Sequence, residues 1–500
     1  MEQGPIRTVC IVGGGTAGWM AAAGLSNKFS DLGVSITLVE SEQIGTVGVG
    51  EATLPHIRFY NNALGLDERE VMRATKATFK LGIEFRDWGR LGERYVHPFG
   101  TYGKALDGID FHQLWLRLRA AGARAPLDAY SFPVLAAEQH RFQHPAGPAD
   151  EIGSNFGYAY QMDAGLYAGV LRAYAEARGV RRVEGRIAGS RLNAQTGHVE
   201  AVTLEDGRAV EAELFVDCSG FRGLLIEGAL ETGYEDWREW LPCDRAVAVQ
   251  CEDGGGPASP YTRATAREAG WQWRIPLQHR IGNGHVYCSS FTSDEAAHDR
   301  LMGTLEGAPT TQPRQLFFTT GKRRRLWNKN VVAIGLSGGF LEPLESTSIH
   351  LIQEGLTHLI ELFPDAAFDP LDAEEYNARM DLNFERIRDF LLLHYVATRR
   401  DDTEMWRHFT SMTLPDSLEA RIEAWRQRGC VAAYEFGTFL PASWIAVMMG
   451  QGLVPEGYDP GADSVDEARL RAFADGIRRD TEAALERTPL HGEYLDRFVA

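Results

Sequence analysis

Three glycines near the N-terminus have the spacing of a nucleotide-binding turn. Gly13, Gly15 and Gly18 form Gly-x-Gly-x-x-Gly directly after an apolar run and before an alanine-rich stretch. In a strand-to-helix context the first glycine makes the tight turn, the second lets a pyrophosphate approach amides at the positive helix end, and the third lets helix and strand pack closely. The sequence therefore predicts a dinucleotide-binding turn, which also includes Thr16 and Ala17.

Three later segments also end in residues suited to a nucleotide. A second apolar strand ends at Glu40, whose carboxylate can accept hydrogen bonds from ribose hydroxyls. Two more apolar strands end at Asp217 and at Gly335 and Leu336. Such noncontiguous pieces are expected of one extended cofactor, FAD. Because the sequence lacks a second Gly-x-Gly-x-x-Gly motif for a nicotinamide nucleotide, we expect reduced flavin to be supplied by another protein.

A lysine and a pair of tryptophans lie in segments with the period of β-strands. Residues 78–88 alternate between apolar and polar, which places Lys80 on the same face as Glu84 and, taken alone, indicates a solvated lysine. Trp271 and Trp273 flank one residue, so both rings share a face of a strand, as a buried aromatic pair in a sheet would. Neither segment identifies a chemistry by itself.

An acidic residue precedes a predicted amphipathic helix at residues 348–363. Glu345 is favoured there by the helix dipole, and Ser346 or Thr347 can cap the helix. The same geometry offers a second interpretation, because the first amides of a helix bind anions. The amides of Thr347 and Ser348 could then hold a small anion.

Taken in order, these motifs resemble those of flavin-dependent halogenases of the tryptophan and indole type. The resemblance covers nearly the whole chain, from the first strand to about His491. It includes residues 47–53, which are similar to the family's strap beside the flavin and add Val49, Gly50 and Ala52 to the expected cofactor residues. It implies an enzyme that uses FADH2, oxygen and chloride or bromide to form hypohalous acid and to halogenate an electron-rich aromatic.

The resemblance also implies roles for the residues above. Lys80 matches the active-site lysine, which holds hypohalous acid by hydrogen bonding or is itself halogenated, and Glu345 polarises the halogenating species and takes the ring proton. The amides of Thr347 and Ser348 would bind the halide. Ser348 replaces the glycine common at this turn, which leaves the preference between chloride and bromide open.

The substrate pocket is implied by two further motifs. Trp271 and Trp273 resemble the family pair that stands between flavin and substrate and prevents direct hydroxylation. His97 and Phe99, with Pro98 between them, match the His-x-Phe pair that lines the indole pocket. A loop histidine is otherwise a common turn residue, so this match depends on the family resemblance.

Other functions stay open at this stage. Residues 425–444 are abbreviated relative to the family segment that covers free tryptophan, so we expect a more open pocket for indoles or a larger aromatic. A flavin monooxygenase that hydroxylates an aromatic would share the fold and the cofactor. A non-catalytic flavin-binding protein would use Lys80 and Glu345 structurally.

Composition disfavours several classes of partner. The 500 residues carry a net charge of -18, which disfavours nucleic acid and anionic membranes. The six cysteines lack Cys-x-x-Cys spacing, so no metal centre or disulfide framework is expected. No leader or membrane-spanning run is found, which predicts a cytoplasmic protein. The basic run at 322–325 is interpreted as a solvated strand end, with a docking patch for an acidic partner as the alternative.

The predicted fold class is α/β, a Rossmann-like FAD-binding module of the flavin monooxygenase type with an added mainly helical C-terminal module. The first module should span residues 1–365, with an inserted antiparallel sheet at about 235–325. Residues 366–500 should complete the substrate pocket, and Ser464-x-x-Glu467 predicts a capping box for one helix there. The expected partners are a separate flavin reductase and a small aromatic substrate, for a monomer or homodimer.

Overall fold

The chain folds into two compact units, each built from three separate segments. The structure is a computed structural model that describes residues 4–43, 51–148, 151–256, 258–434 and 437–500. The first unit comprises Met1–Ala77, Met162–Arg245 and Leu316–Glu385, and the second comprises Thr78–Gln161, Ala246–Gln315 and Arg386–Ala500. These boundaries differ from the predicted division at residue 365, because the antiparallel sheet takes strands from two parts of the chain and groups with the C-terminal helices.

A mostly parallel sheet lies at the centre of the first unit, and it confirms the Rossmann-like prediction. Its six strands lie in the order Trp327–Asn328, Val331–Ala333, Leu214–Asp217, Thr8–Val12, Ser35–Glu40 and Arg181–Glu184. The pairing is parallel except at the short edge strand Trp327–Asn328. The two central strands are buried along nearly their whole length, as is usual for a parallel sheet covered on both faces.

Helices and small sheets complete the first unit. The helix Thr16–Phe29 packs against Ala164–Ala177 and Ser348–Glu361. Other helices are His56–Ala63, Glu68–Ala74 and the first part of Pro370–Val396, and 3-10 turns lie at Ser30–Leu32, Gly220–Arg222, Gly335–Ser337 and Pro343–Glu345. Further strands are Glu51–Ala52, Ile187–Leu192, Val199–Leu204, Ala209–Glu211, Tyr234–Asp236, Gly321–Arg323 and Gly339–Phe340.

The second unit is built on a seven-stranded sheet. Its strands lie in the order Arg314–Phe317, Arg245–Cys251, Ile281–Tyr287, Gly270–Pro276, Thr262–Arg267, Gly82–Arg86 and Arg94–Pro98. A separate strand, Thr78–Lys80, pairs antiparallel with Ala159–Met162. The helices are the last part of Pro370–Val396, Phe111–Ala120, Phe132–Glu138, Asp294–Met302, Glu404–Ser411, Asp416–Arg428, Pro441–Gly450, Glu467–Arg487 and His491–Val499, with 3-10 turns at Leu127–Tyr130 and Pro460–Ser464. Among the residues described, no helix has both the length and the apolar character needed to cross a bilayer.

The segment predicted as one strand over residues 78–88 forms two. Thr78–Lys80 and Gly82–Arg86 are separated at Leu81, whose amide donates to the Pro260 carbonyl at 2.7 Å. Because its amide bonds to this loop carbonyl, Leu81 belongs to neither ladder. The alternation of the sequence continues through the break, so periodicity alone could not reveal it.

The predicted capping box at Ser464 is wrong. Ser464 ends a 3-10 turn, and its hydroxyl donates to the Gly461 carbonyl. The helix runs instead from Glu467 to Arg487 and is capped by Asp466, which accepts the Arg469 amide at 2.9 Å. Aspartate is as good an N-cap as serine, so residue type alone could not show whether Ser464 or Asp466 caps the helix.

The basic run is also not the solvated strand end that we predicted. Lys322 is buried and forms ion pairs with Glu235 at 3.2 Å and Asp381 at 2.8 Å. Arg323 is buried as well and pairs with Glu227 at 2.6 Å. The first two residues of the run therefore hold elements of the first unit together.

A histidine links the C-terminal helix to the strand that carries Lys80. His491 Nε2 accepts the Phe79 amide at 3.2 Å, so Nδ1 carries the proton and donates to the Ala258 carbonyl at 2.7 Å. Burial lowers the pKa of His491 from 6.5 to about 4. The unfolded chain therefore takes up this proton near pH 6.5 and the folded chain only near pH 4. As the pH is lowered from 6.5 to 4, the free energy of unfolding should therefore fall by on the order of 3 kcal/mol.

We expect His491→Gln to flatten this part of the pH profile. Glutamine keeps one acceptor and one donor but does not titrate, whereas His491→Phe loses both hydrogen bonds and should lower the free energy of unfolding at every pH. Urea unfolding of the three proteins between pH 7 and pH 4 measures both effects. Equal pH slopes for the wild type and His491→Gln would contradict this account.

Candidate active site

The three glycines of the N-terminal turn have three different surroundings. Gly13 has a φ of +108°, and a β-carbon there would overlap the Cys218 carbonyl oxygen. A β-carbon at Gly18 would overlap the Gly13 carbonyl oxygen, so helix and strand approach too closely for a side chain. At Gly15, the N-cap of the helix Thr16–Phe29, a β-carbon would meet nothing within 4 Å. This open space at a helix N-terminus fits a pyrophosphate.

The other predicted cofactor residues lie at the same sheet edge. The strands that end at Glu40 and Asp217 are direct neighbours of the strand before the glycine turn. The next strand along leads into the 3-10 turn that holds Gly335 and Leu336. Gly335 has a φ of +79°, and a β-carbon there would lie 2.8 Å from the β-carbon of Ala17. The carboxyl edge of a parallel sheet is where such folds bind nucleotides.

The two carboxylates at this edge differ in their partners. Glu40 lies over the glycine turn, since a β-carbon at Gly14 would overlap its carboxylate, and it forms an ion pair with Arg182 at 2.5 Å. This position suits contact with a ribose. Asp217 accepts hydrogen bonds from the amides of Leu225 and Ile226 at 2.8 and 2.9 Å. It also accepts from the Ser219 amide and hydroxyl at 3.0 and 2.6 Å.

The Asp217 carboxylate therefore has a structural role within the protein. Its carboxylate fixes the loop that follows its strand through these four hydrogen bonds. Of the other predicted cofactor residues, Ala52 is a buried residue of a two-residue strand. Val49 and Gly50 lie outside the described residues.

The predicted anion turn has donors that the protein does not use. Glu345 ends the 3-10 turn and is fully buried, and Ser346 follows with a φ of +60°. Thr347 is fully buried, and its hydroxyl forms no hydrogen bond with any residue described. Within the same described ranges, the amides of Thr347 and Ser348 donate to no acceptor. Amides without acceptors at a helix N-terminus, next to a residue in the left-handed conformation, are suited to binding an anion.

The anion turn and the nucleotide edge are adjacent within the first unit. Ile352 lies one turn along the helix that begins at Ser348, and a β-carbon at Gly335 would lie 3.6 Å from its Cγ1. The same helix packs against the helix that follows the glycine turn. The predicted cofactor and halide residues that the structure describes, together with Glu345, thus belong to one compact unit.

Lys80 is buried in the second unit, and the solvated position expected from periodicity alone is wrong. Its side chain is 0% exposed, and its Nζ lies 5.1 Å from the centroid of the Phe99 ring. Glu84, the expected partner, instead pairs with Arg86 at 2.8 Å and Arg94 at 3.3 Å. A buried ammonium against an aromatic face gains cation–π attraction that water would otherwise weaken.

Backbone contacts bring Lys80 and the His-Pro-Phe segment together. The Phe99 amide donates to the carbonyl of Leu81, the residue after Lys80, at 2.7 Å. Gly82 pairs with Pro98 across an antiparallel ladder, and a β-carbon at Gly82 would overlap the His97 carbonyl. The glycine therefore allows the two strands to approach closely just beside the lysine.

His97 lies in a cluster of aromatic rings. Its ring centroid is 6.4 Å from Phe99, 5.6 Å from Phe390 and 6.2 Å from Phe439. Phe390 stacks on Phe439 at 3.9 Å and meets Trp444 edge-on at 5.0 Å. The sequence analysis missed Phe390, Phe439 and Trp444, because aromatic residues in a helical C-terminal segment look the same whether they fill a core or line a pocket.

The tryptophan pair occupies the strand predicted for it. Trp271 and Trp273 are buried, with ring centroids 6.1 Å apart. The Trp273 ring covers Gly284 on the next strand, where a β-carbon would overlap it, and its indole N–H has no acceptor among the described residues. The strand is tied to that of Lys80, since the Thr78 hydroxyl donates to the Pro276 carbonyl at 2.8 Å.

A glycine turn at the edge of a parallel sheet, to which later strands return, defines the class of dinucleotide-binding folds to which FAD enzymes belong. Comparison with known proteins agrees. Residues 8–467 match the tryptophan halogenase family. A tryptophan 6-halogenase of Streptomyces toxytricini is 37% identical, over 97% of each chain. A solved flavin-dependent halogenase from Brevundimonas sp. BAL3 superposes with a TM-score of 0.95 at 48% identity and covers 99% of each chain.

A second solved structure, a flavin-dependent halogenase from Xanthomonas campestris, has a TM-score of 0.95 at 47% identity and covers 99% of this chain and 98% of its own. This chain therefore belongs to the tryptophan halogenase family and is a flavin-dependent halogenase. The resemblance inferred from the motifs is confirmed. Its cofactor is FAD, and its second reactant is a halide ion.

Two alanine substitutions in the glycine turn should have opposite consequences. Gly18→Ala places a β-carbon on a backbone oxygen and should lower the free energy of unfolding by about 3 kcal/mol. Gly15→Ala enters open space and should leave the stability of the FAD-free protein nearly unchanged, yet weaken FAD binding. Urea unfolding without FAD and titration with FAD measure the two effects. Unchanged FAD affinity in Gly15→Ala would exclude this turn as the pyrophosphate site.

Proposed function

We propose that this enzyme uses FADH2 and oxygen to replace a hydrogen of an electron-rich aromatic, an indole in the first instance, by chlorine or bromine. The observation that carries the proposal is a fully buried lysine whose ammonium lies 5.1 Å from an aromatic ring in a cluster of further rings. Burying a cation is costly, so such a lysine is typical of a functional site. The electron-rich rings offer an indole the edge and face contacts it prefers.

The halide is bound, in this proposal, by the amides of Thr347 and Ser348 and by the Thr347 hydroxyl. The support is that these donors have no acceptor among the described residues. The N-terminus of a 14-residue helix adds a favourable dipole for an anion. Reduced FAD, when bound, supplies with oxygen the two-electron oxidation that converts the halide to hypohalous acid.

Lys80 and Glu345 act on the product of that oxidation. The Lys80 ammonium donates a hydrogen bond to hypohalous acid, or the neutral amine takes up the halogen, and in either form it presents electrophilic halogen to a ring carbon. Glu345 polarises the halogen donor and accepts the proton that leaves the ring carbon. Hypohalous acid and the aromatic thereby give the aryl halide and water, so atoms and charges balance.

The substrate is better described as an indole or a larger aromatic than as free tryptophan. The two solved relatives at 47% and 48% identity are named flavin-dependent halogenases without a stated substrate, whereas the tryptophan 6-halogenase of Streptomyces toxytricini is 37% identical. The family resemblance also implies that residues 425–444 are abbreviated relative to the segment that covers free tryptophan. His97, Phe99 and the rings around them line the pocket, and the Trp271–Trp273 pair shields the substrate from direct oxygenation.

A separate flavin reductase completes the system as a two-component enzyme. The sequence has one Gly-x-Gly-x-x-Gly turn, which the proposal gives to FAD, and no second one for a nicotinamide nucleotide. A generic reductase with indole, bromide and oxygen is therefore the first assay. Bromoindole formed only when bromide is present supports the proposal, and a halide-independent oxygenated product would indicate a monooxygenase instead.

Substitution of the two reacting side chains should separate oxidation of the halide from its transfer. Lys80→Ala should form no bromoindole but still release hypobromous acid, measured by halide-dependent bleaching of a diketone trap. Glu345→Gln should slow bromoindole formation by about 100-fold or more, because ring-proton removal loses its base. The exposed Lys28 offers a matched control, and Lys28→Ala should behave as the wild type. Wild-type turnover in Lys80→Ala or Glu345→Gln would contradict the assignment.

A further inference from the structure

Arg323 is a buried residue of the first unit whose contacts the proposed reaction does not use. Its Nε donates to the Ser337 carbonyl at 3.1 Å, and its backbone amide donates to the Gly338 carbonyl at 2.7 Å. Both acceptors belong to residues 335–338, a segment that we call the Gly335 turn and that contains predicted cofactor residues. One arginine therefore fixes this turn with its side chain and with its backbone.

The same guanidinium also contacts the segment that follows Asp217, residues 218–227, which we call the Asp217 loop. Its Nη1 forms the ion pair with Glu227 at 2.6 Å. A β-carbon at Gly223, where φ is +55°, would lie 2.8 Å from Nη2, so the glycine gives the guanidinium room. The strands that lead into the Asp217 loop and the Gly335 turn are direct neighbours in the parallel sheet.

Hydrogen bonds close a ring through these two segments. The Asp217 carboxylate accepts the amides of residues 225 and 226, which fixes the chain just before Glu227. The Ser337 hydroxyl donates to the Asp217 carbonyl. The ring therefore passes from Asp217 through Glu227 to Arg323, and from Arg323 through Ser337 back to Asp217. Because the ring is closed, displacement of one segment strains the hydrogen bonds of the other.

The ion pair in this ring is partly shielded from water. The Arg323 side chain is 8% exposed and that of Glu227 is 39% exposed. The Tyr234 ring centroid lies 5.2 Å from the guanidinium carbon, and Glu227 also accepts the Gly233 amide at 3.0 Å. Loss of the arginine would remove a donor from the buried Ser337 and the cation from Glu227, so its effect should reach both segments.

We propose that Arg323 is a positioning residue for FAD, which holds the Asp217 loop and the Gly335 turn in the arrangement that binds the cofactor. Its contribution is geometric, because a planar guanidinium can span two acceptors, Ser337 and Glu227, in fixed directions. The compact ammonium of a lysine keeps the charge but not this geometry. The inference rests on the proposed function only in assigning the two segments to FAD.

Titration of the FAD-free protein with FAD is the direct test. If a variant holds the binding arrangement only about a tenth of the time, its Kd for FAD rises by about tenfold. We expect this rise in Arg323→Lys and in Arg323→Gln, measured by quenching of flavin fluorescence and by calorimetry. The visible circular dichroism of bound FAD should change as well, because the surroundings of the flavin ring are less fixed.

Glu227 tests whether the ring acts as a unit. Glu227→Gln keeps an acceptor but loses the charge, and it should raise the Kd for FAD by about threefold. The double variant with Arg323→Gln should bind FAD about as weakly as Arg323→Gln alone, because both changes break the same ring. Arg324, the exposed next residue, offers the matched control, and Arg324→Gln should bind FAD as the wild type does.

The kinetic constants separate positioning from a loss of folded protein. In Arg323→Lys the KM for FADH2 should rise by about tenfold, while kcat at saturating FADH2 and the KM for bromide stay within about twofold. Within the described ranges, none of the side-chain hydrogen bonds or ion pairs of Arg323 is to Glu345, Thr347 or Ser348. A variant that merely folds less well would instead lower kcat and leave this KM unchanged.

The outcomes distinguish this inference from the proposed function. Wild-type FAD affinity in Arg323→Lys would overturn it, because charge alone would then suffice, and so would additive losses in the double variant. A lowered kcat with an unchanged KM for FADH2 would also overturn it. If the Arg323 variants do not fold, unchanged FAD affinity in the milder Glu227→Gln decides against the ring. If no aromatic is halogenated while FAD affinity changes as expected, the proposed reaction fails and the positioning role stands.

Discussion

The burial of the Lys80 ammonium is the constraint around which the second unit is arranged. Removing a cation from water costs several kcal/mol, and a stable fold accepts that cost only where neighbouring groups offset it. The strand break at Leu81, the close approach at Gly82 and the ring of Phe99 against Nζ all serve this one position. Without the lysine, each of these features would be an unexplained irregularity. A site that violates the usual rules of burial in this way is typical of chemistry rather than of stability.

The two units hold charge by different physical means. In the first unit, the groups available to anions are backbone amides at helix N-termini, at Gly15 and at Thr347 and Ser348. These donors are fixed by the fold and do not titrate, so they suit ligands that are anionic at every working pH. In the second unit, the charges are side chains packed against rings, at Lys80 and at Arg421. Side chains can change rotamer or, for lysine, protonation, which backbone amides cannot do.

The sequence predicted the site residues of the first unit better than those of the second unit, and the reason is physical. Strand-to-glycine turns are local, so Gly13, Gly335 and the N-terminus at Ser348 could be found from spacing alone. Lys80 could not, because alternation assigns it to a solvated face and the break at Leu81 has no local signal. The prediction that Lys322 is solvated was wrong for a similar reason, since its partners Glu235 and Asp381 are distant in sequence. Phe390 and Trp444 lie in separate helices and Phe439 in the loop between two helices, and composition cannot distinguish this aromatic cluster from a core.

The net charge of -18 is at first sight in conflict with a protein that binds a flavin pyrophosphate and a halide. The conflict disappears at the short distances over which a binding site attracts its ligand. At physiological ionic strength exposed charges are screened beyond about 8 Å, so the overall charge governs partners such as nucleic acid far more than it governs a buried pocket. Inside the protein, attraction is set by the nearest donors, such as the amides of Thr347 and Ser348 at a helix N-terminus. The acidic net charge therefore disfavours non-specific binding of polyanions, while short-range donors govern the binding of an anion in a pocket.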